Sequence, residues 1–402
     1  MRKASDVLRV LHVLEPEPDG EVGGADLHVL DLATAQKARA EVEPYVVINQ
    51  SSDFATRLTE RDILFFPGHR YRDRLFRFAK RVSNLPYMKD VDIVHGHGYE
   101  SNYLIAILKT IYPRVWGKLP VVMTCHGWVE TLLKHRFKTA LDIWTYHFAS
   151  ALIVCARNQL PRVTKSGYRH VVYIPNGVIL RNADGAAVHV GKLSTMRSGG
   201  NKIVGFVGRL APEKRVDSII RIFSLVSQIV PESHLVIIGS GPLKDKLVQK
   251  SCDLRLNDRI HFWGHVTNAG PLYPFFDVLV QASETEGTSR VIAEAMLSGV
   301  PVVATKVGGL VDMIDHGKDG FLFSLEDIKS YQEILVRLLQ DQELRSEVGI
   351  AAKLRAEQKF TIEAMERAVA NVYRDVLNVQ SSRKATSSSV DSEKLTCEIL
   401  QS

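Results

Sequence analysis

Two carboxylates, Glu286 and Glu294, stand in the run QASETEGTSRVIAEAMLSGVPVVATKVGG that spans 281–309. Paired carboxylates carry out glycoside hydrolysis, and they serve equally well as groups that hold the hydroxyls of a sugar. Val291, Ile292, Ala295 and Met296 recur at helical spacing, Ser298-Gly299-Val300-Pro301 ends that helix, and Val302-Val303-Ala304 opens a buried strand. The helix therefore begins near Ser289. Glu286 lies before it and Glu294 within it, so both can face one cavity from different depths.

Cations stand at comparable places. Gly208-Arg209-Leu210-Ala211-Pro212-Glu213-Lys214 follows a strand-like run, and Arg209 and Lys214 at the carboxyl end of a strand suit an oligophosphate. Arg290 falls in the first turn of the Glu294 helix, where a cation opposes the helix dipole unless an anion is near. It is expected to help hold a phosphate. Thr124-Cys125-His126-Gly127 closes another strand, which places His126 where it can act on a hydroxyl or a developing charge. His95 and His97 are the runners-up for that role, and as a metal pair they lack a third ligand at motif spacing. Gly23-Gly24 precedes a helix and would let backbone approach an anion there. Pro175-Asn176-Gly177-Val178 reads as a structural hinge.

These groups need strand ends to carry them. Val7–Leu14, Tyr45–Ile48, Asp92–His95, Val121–Cys125, Ala151–Cys155 and Val171–Ile174 are short apolar runs with amphipathic stretches between them, among them Asp26–Ala38 and Tyr99–Ile111. Strands alternating with helices imply βαβ units and a parallel sheet, with ligands at the carboxyl ends of the strands. The pattern restarts at Ile203–Val207 and continues through Leu235–Ile238, Ile260–Trp263, Val278–Gln281, Val302–Thr305 and Phe321–Phe323. The fold class is α/β with two Rossmann-like doubly wound domains. Their expected limits are 1–185 for the first domain, 186–202 for a linker, 203–360 for the second domain, 361–380 for a last helix and 381–402 for a disordered Ser-rich tail.

The 402 residues are 45% hydrophobic and 24% charged, as in soluble globular proteins. A formal net charge of +6 favours anionic partners, but no nucleic-acid-binding motif accompanies it, so nucleic acid is not expected. Four cysteines without metal-type spacing read as thiols of a reducing compartment. The short apolar run near the N-terminus suits a first strand better than a signal peptide. A cytoplasmic protein is expected. Arg70, Arg72, Arg74, Arg77, Lys80 and Arg81, interleaved with Tyr71, Leu75, Phe76 and Phe78, form a basic run that could dock on an anionic membrane at its inner face or simply be a solvated helix face.

Gly23-Gly24-Ala25, His126-Gly127, Pro175-Asn176-Gly177-Val178, Gly208-Arg209 with Lys214, and EGTSRVIAEAMLSGVPVVATKVGG, in that order, resemble the retaining GT-B glycosyltransferases of the family-four type (glycosyl transferases group 1) over roughly the first 380 residues. The resemblance implies that 1–185 binds the acceptor, that 203–360 binds the nucleotide sugar and that the helix at 361–380 crosses back to the first domain; it implies an interdomain active-site cleft, a nucleotide-sugar donor, a glycan or lipid-linked acceptor, retained anomeric configuration and no cofactor or essential metal. It implies that Arg209 and Lys214 neutralise the leaving diphosphate and that Glu294 binds the donor ribose. Glu286, with Gly287, Thr288 and Ser289, would hold the transferred sugar, and His126 would face sugar and acceptor. Gly23 and Gly24 would close on the phosphates, and His265 and Val266 would contact the base. Thr288-Ser289 stands where many relatives have Phe-Gly, Arg215 follows Lys214 where glycine is usual, and Asp312 replaces a common glutamate. A nucleotide-sugar epimerase, a phosphorylase or a non-catalytic sugar-binding protein would share the architecture. A glycoside hydrolase would leave Arg209 and Lys214 without a task.

Overall fold

The computed structural model describes residues 7–14, 24–49, 52–68, 80, 82–126, 133–168, 170–180 and 186–399. The chain forms two compact units. The first comprises Met1–Cys155, Gln159–Ile174 and Met365–Ser402; the second comprises Ala156–Asn158 and Pro175–Ala364.

The first unit is built on a seven-stranded sheet, β1 (Leu8–Leu14), β2 (Val42–Asn49), β3 (Leu64–Gly68), β4 (Ile93–His97), β5 (Val121–Cys125), β6 (Ala151–Val154) and β7 (Val171–Tyr173). The strand order is β3-β2-β1-β4-β5-β6-β7, and every pairing is parallel. Strands β4, β5 and β6 are buried along their whole length; β5 and β6 are almost continuous apolar runs for that reason, whereas β4 buries His95 and His97. Helices lie between successive strands, and helix Gly24–Arg39 buries Val29, Leu30, Leu32 and Ala33. The chain leaves β1 towards β2 and β3 and returns to β4 on the other side of β1. The carboxyl ends of β1 and β4 thus flank a topological switch point. Strand β3 was not among the strands read from the sequence. It contains Pro67 and the half-exposed Leu64, and it is tolerated because an edge strand has one side without ladder bonds.

The second unit repeats the design with six strands, β8 (Lys202–Val207), β9 (Ser233–Ile238), β10 (Ile260–Gly264), β11 (Val278–Gln281), β12 (Val302–Thr305) and β13 (Phe321–Phe323). Their order is β10-β9-β8-β11-β12-β13, so the switch point lies between β8 and β11.

Two sequence expectations are corrected. Residues 186–202 are not an irregular linker, because helix Ala187–Ser198 occupies most of them and buries Leu193. Gly199 and Gly200 end this helix: Gly199 N–H donates to Thr195 O, and Gly200, at φ +80°, donates to Arg197 O. The expected disordered tail is helical through Ile399, in one helix that starts at Ile362. No glycine or proline interrupts 362–399, so nothing local stops propagation. From Met365 onward the helix belongs to the first unit, where Glu366, fully buried, pairs with Arg39 at 3.0 Å.

Candidate active site

In the second unit the loops after β8 and β11 meet at the switch point. Lys214 ends a short 3-10 turn, Pro212–Lys214, and its ammonium forms an ion pair with Oε1 of Glu286. The same oxygen accepts from Ser283 Oγ at 2.9 Å and from Gln281 Nε2 at 3.2 Å. Ser283 is itself fixed, because Thr305 Oγ1 donates to its carbonyl at 2.6 Å. Both partners of the ion pair are largely enclosed, with side chains 19% and 12% exposed. Three donors on one carboxylate oxygen hold Glu286 in a single orientation.

The loop carrying Glu286 rests on Gly308-Gly309. Gly309 N–H donates to the Glu286 carbonyl at 3.0 Å, and a Cβ on Gly308, at φ +50°, would lie 1.9 Å from that carbonyl oxygen. Glycine is required there both by φ and by the close approach.

Helix Arg290–Leu297 starts where the spacing predicts, with Ser289 as N-cap; its Oγ accepts from Ile292 N–H at 3.4 Å. Thr288 and Ser289 are buried. Arg290 lies 3.9 Å from Oε1 of Glu294, one turn apart. Tyr273, fully buried, donates from its hydroxyl to Oε2 of Glu294 at 2.9 Å. Burial, helped by that carboxylate, pushes the Tyr273 phenol well above its ordinary pKa, so it stays a donor. Tyr273 escaped the sequence reading because it sits in a Pro-rich turn, Gly270–Phe275, with no motif of its own.

Arg215 occupies the position where glycine is usual and adopts the left-handed conformation, φ 47°, ψ 42°. Its guanidinium binds Glu284 at 2.7 Å and Asp217 at 3.3 Å. A left-handed non-glycine residue costs roughly 1–2 kcal/mol. Arg215→Ala keeps that strain and loses the ion pairs, whereas Arg215→Gly relieves the strain. Arg215→Gly is therefore expected to be the more stable of the two by about 1 kcal/mol, as read from their chemical-denaturation midpoints.

The remaining positions are less gathered. Arg209 is 70% exposed and pairs with Glu213 at 2.7 Å. His265 is exposed after β10, and Val266 is partly buried against the core. Asp312 accepts from the Arg157 backbone N–H at 2.7 Å. Gly24 begins its helix, while Gly23 lies outside the described residues. So does most of the basic run: Arg70, Arg72, Arg74, Arg77 and Arg81 fall there, and only Lys80 is described, as exposed.

In the first unit the switch point gathers histidines. The parallel register sets His12 of β1 beside His95 of β4, and the period of two places His97 on the same face as His95. His126 follows β5, and helix Gly24–Arg39 supplies His28. Burial lowers the pKa of His126 to about 4, and that of His95 and His97 falls well below the ordinary range. These imidazoles are neutral at pH 7. His12 and His28 were missed because they sit far apart in the chain; the available signal was a histidine on each of three strands or strand ends that the topology makes neighbours.

Two doubly wound Rossmann-like units, each built on a parallel sheet, define the two-domain GT-B architecture. The models for "Glycosyltransferase Family 4" and "Glycosyl transferases group 1" match residues 22–182 and 194–355. The chain belongs to the group 1, family-four type glycosyltransferases. It is 30% identical over 176 residues to the N-acetyl-alpha-D-glucosaminyl L-malate synthase of Bacillus anthracis, covering 44% of this chain and 46% of that one. It is 29% identical over 266 residues to the Escherichia coli UDP-Gal:alpha-D-GlcNAc-diphosphoundecaprenol alpha-1,3-galactosyltransferase, covering 63% and 67%. The match thus spans about half the length of the first relative and two thirds of the second. The structure of Anabaena Alr3699/HepE in complex with UDP superposes with a TM-score of 0.78 at 22% identity, over 92% of this chain and 100% of that one. Among the described residues, no helix is long and apolar enough to cross a membrane.

Proposed function

We propose that the protein is a retaining glycosyltransferase that moves a sugar from a nucleotide-sugar donor to a hydroxyl of a glycan or lipid-linked saccharide, without an essential metal. The observation that carries this reading is the Lys214–Glu286 pair at the β8/β11 switch point. Breaking a glycosyl phosphate bond puts negative charge on the diphosphate and positive charge on the anomeric carbon. Lys214, with Arg209, answers the first charge. Oε1 of Glu286 is taken up by three donors, so Oε2 is the atom left to accept from a sugar hydroxyl. The acceptor oxygen attacks from the face the diphosphate leaves, its proton passes to the departing phosphate oxygen, and configuration is retained. His126, neutral, is assigned to the sugar and acceptor hydroxyls. The Escherichia coli relative, whose name specifies a diphosphoundecaprenol-linked acceptor, supports a lipid-linked saccharide.

A thermal-shift screen of nucleotide sugars tests the donor, because a ligand that binds the native state raises the midpoint with its affinity. The expected result is a rise with one base and sugar above all others, followed by turnover in EDTA. No rise with any nucleotide sugar would overturn the reading.

Tyr273→Phe checks the ribose assignment of Glu294. Losing one hydrogen bond to a carboxylate is worth about 1.5–3 kcal/mol, so KM for the donor is expected to rise roughly tenfold or more while kcat holds. A donor analogue lacking the ribose hydroxyls should show no such change.

A further inference from the structure

The buried histidines of the first unit are unequally satisfied. His12 spends both nitrogens, Nδ1 on His97 Nε2 at 3.0 Å and Nε2 on Gln36 at 2.9 Å. His95 spends both as well, on Tyr373 at 2.6 Å and Thr124 at 2.7 Å. His97 Nδ1 and His126 Nε2 are buried and have no hydrogen-bond partner among the described residues. Leaving a buried polar atom unsatisfied is costly, so two at one place call for a ligand. His28 closes the group: one ring nitrogen from each of His28, His97 and His126 lies within 4.8 Å of the others.

We propose that His28, His97 and His126 form a three-imidazole site for a divalent transition ion of the Zn²⁺ type. Neutral imidazole is the ligand form. At metal–nitrogen distances of about 2.0–2.1 Å, tetrahedral ligands sit roughly 3.4 Å apart, so the rings close by about an ångström on binding. The orienting contacts are in place. His97 turns Nε2 to His12, which is held in turn by Gln36, and His126 turns Nδ1 to Cys155 Sγ at 3.8 Å. Such contacts fix the ring orientation of metal-bound histidines. The fourth position goes to water or an anion. Occupation ties up the lone pair of His126, so the metal-loaded form is the inactive one. That consequence rests on the transferase reading; the binding itself does not.

The test is titration of the full chain with Co²⁺, read by the visible band of a tetrahedral ion, together with equilibrium dialysis against Zn²⁺, both without donor. One ion per chain is expected, with affinity at least 100-fold weaker in His97→Asn and in His28→Gln. If His97→Asn fails to fold, the helix-borne His28→Gln carries the comparison. No stoichiometric binding by the wild-type chain, or binding unchanged in both variants, overturns the site. Where transfer is measurable, Zn²⁺ should inhibit the wild type at the concentration that fills the site, and His28→Gln should resist. Stoichiometric binding without inhibition overturns the inactive-form consequence. Absence of transfer with every donor instead counts against the transferase reading and leaves the binding result intact.

Discussion

Lys214→Ala is expected to lower kcat/KM for the nucleotide sugar by 10²–10³, about 2.7–4 kcal/mol of transition-state stabilisation, as for loss of one preorganised donor to a developing oxyanion. The size follows from its setting: a largely enclosed ammonium held against Glu286 acts in a medium that screens it less than water does. The loss has two parts. The diphosphate loses a cation, and Glu286 keeps only Ser283 and Gln281 as donors. Lys214→Arg retains the charge but replaces a point ammonium with a planar fork, so an intermediate loss is expected. Steady-state kinetics across the two variants checks this. A loss under fivefold in Lys214→Ala would remove the residue from the reaction.

Gly308→Ala is expected to cost about 3 kcal/mol or more and to depress turnover with it. Part of the cost is left-handed backbone for alanine, roughly 1–2 kcal/mol. The rest is contact: the new methyl would lie 1.9 Å from the Glu286 carbonyl oxygen, backbone that can give way only by moving the Glu286 loop. Gly317→Ala separates the two terms. Gly317 has φ +81° and nothing within 4 Å of an added Cβ, so it pays the conformational term alone and should leave kcat unchanged. Comparable loss of activity in both variants would mean that the Gly308 contact does not position Glu286.

The sequence is most legible where one residue type can do one thing. All six strands of the second unit are apolar runs bounded by turn residues and lie where the pattern puts them. Ser289 is an N-cap by chemistry, and the helix starts after it. Legibility fails where a signal has two meanings. Gly199-Gly200 suits a linker and a helix terminus alike and is the second; Pro67 is a residue that central strands exclude and an edge strand such as β3 accepts. Site partners are harder still. Lys214 and Glu286 are 72 residues apart in the chain, and their pairing follows only from β8 and β11 being neighbours. His12 and Tyr273 carry no motif, and their roles come from register and burial, which a single sequence does not print.

The return of the last helix to the first unit has a kinetic consequence. Tyr373 caps His95 and, with Gln36, closes the hydrogen-bond chain at the β1/β4 switch point. On a ribosome adding about 5–20 residues per second, β7 emerges roughly 200 residues before Tyr373 does, a delay of about 10–40 s. The second unit is continuous but for a three-residue segment and can close within that interval. The first unit must wait with its histidine face open to water, so the half of the chain made first is the half completed last.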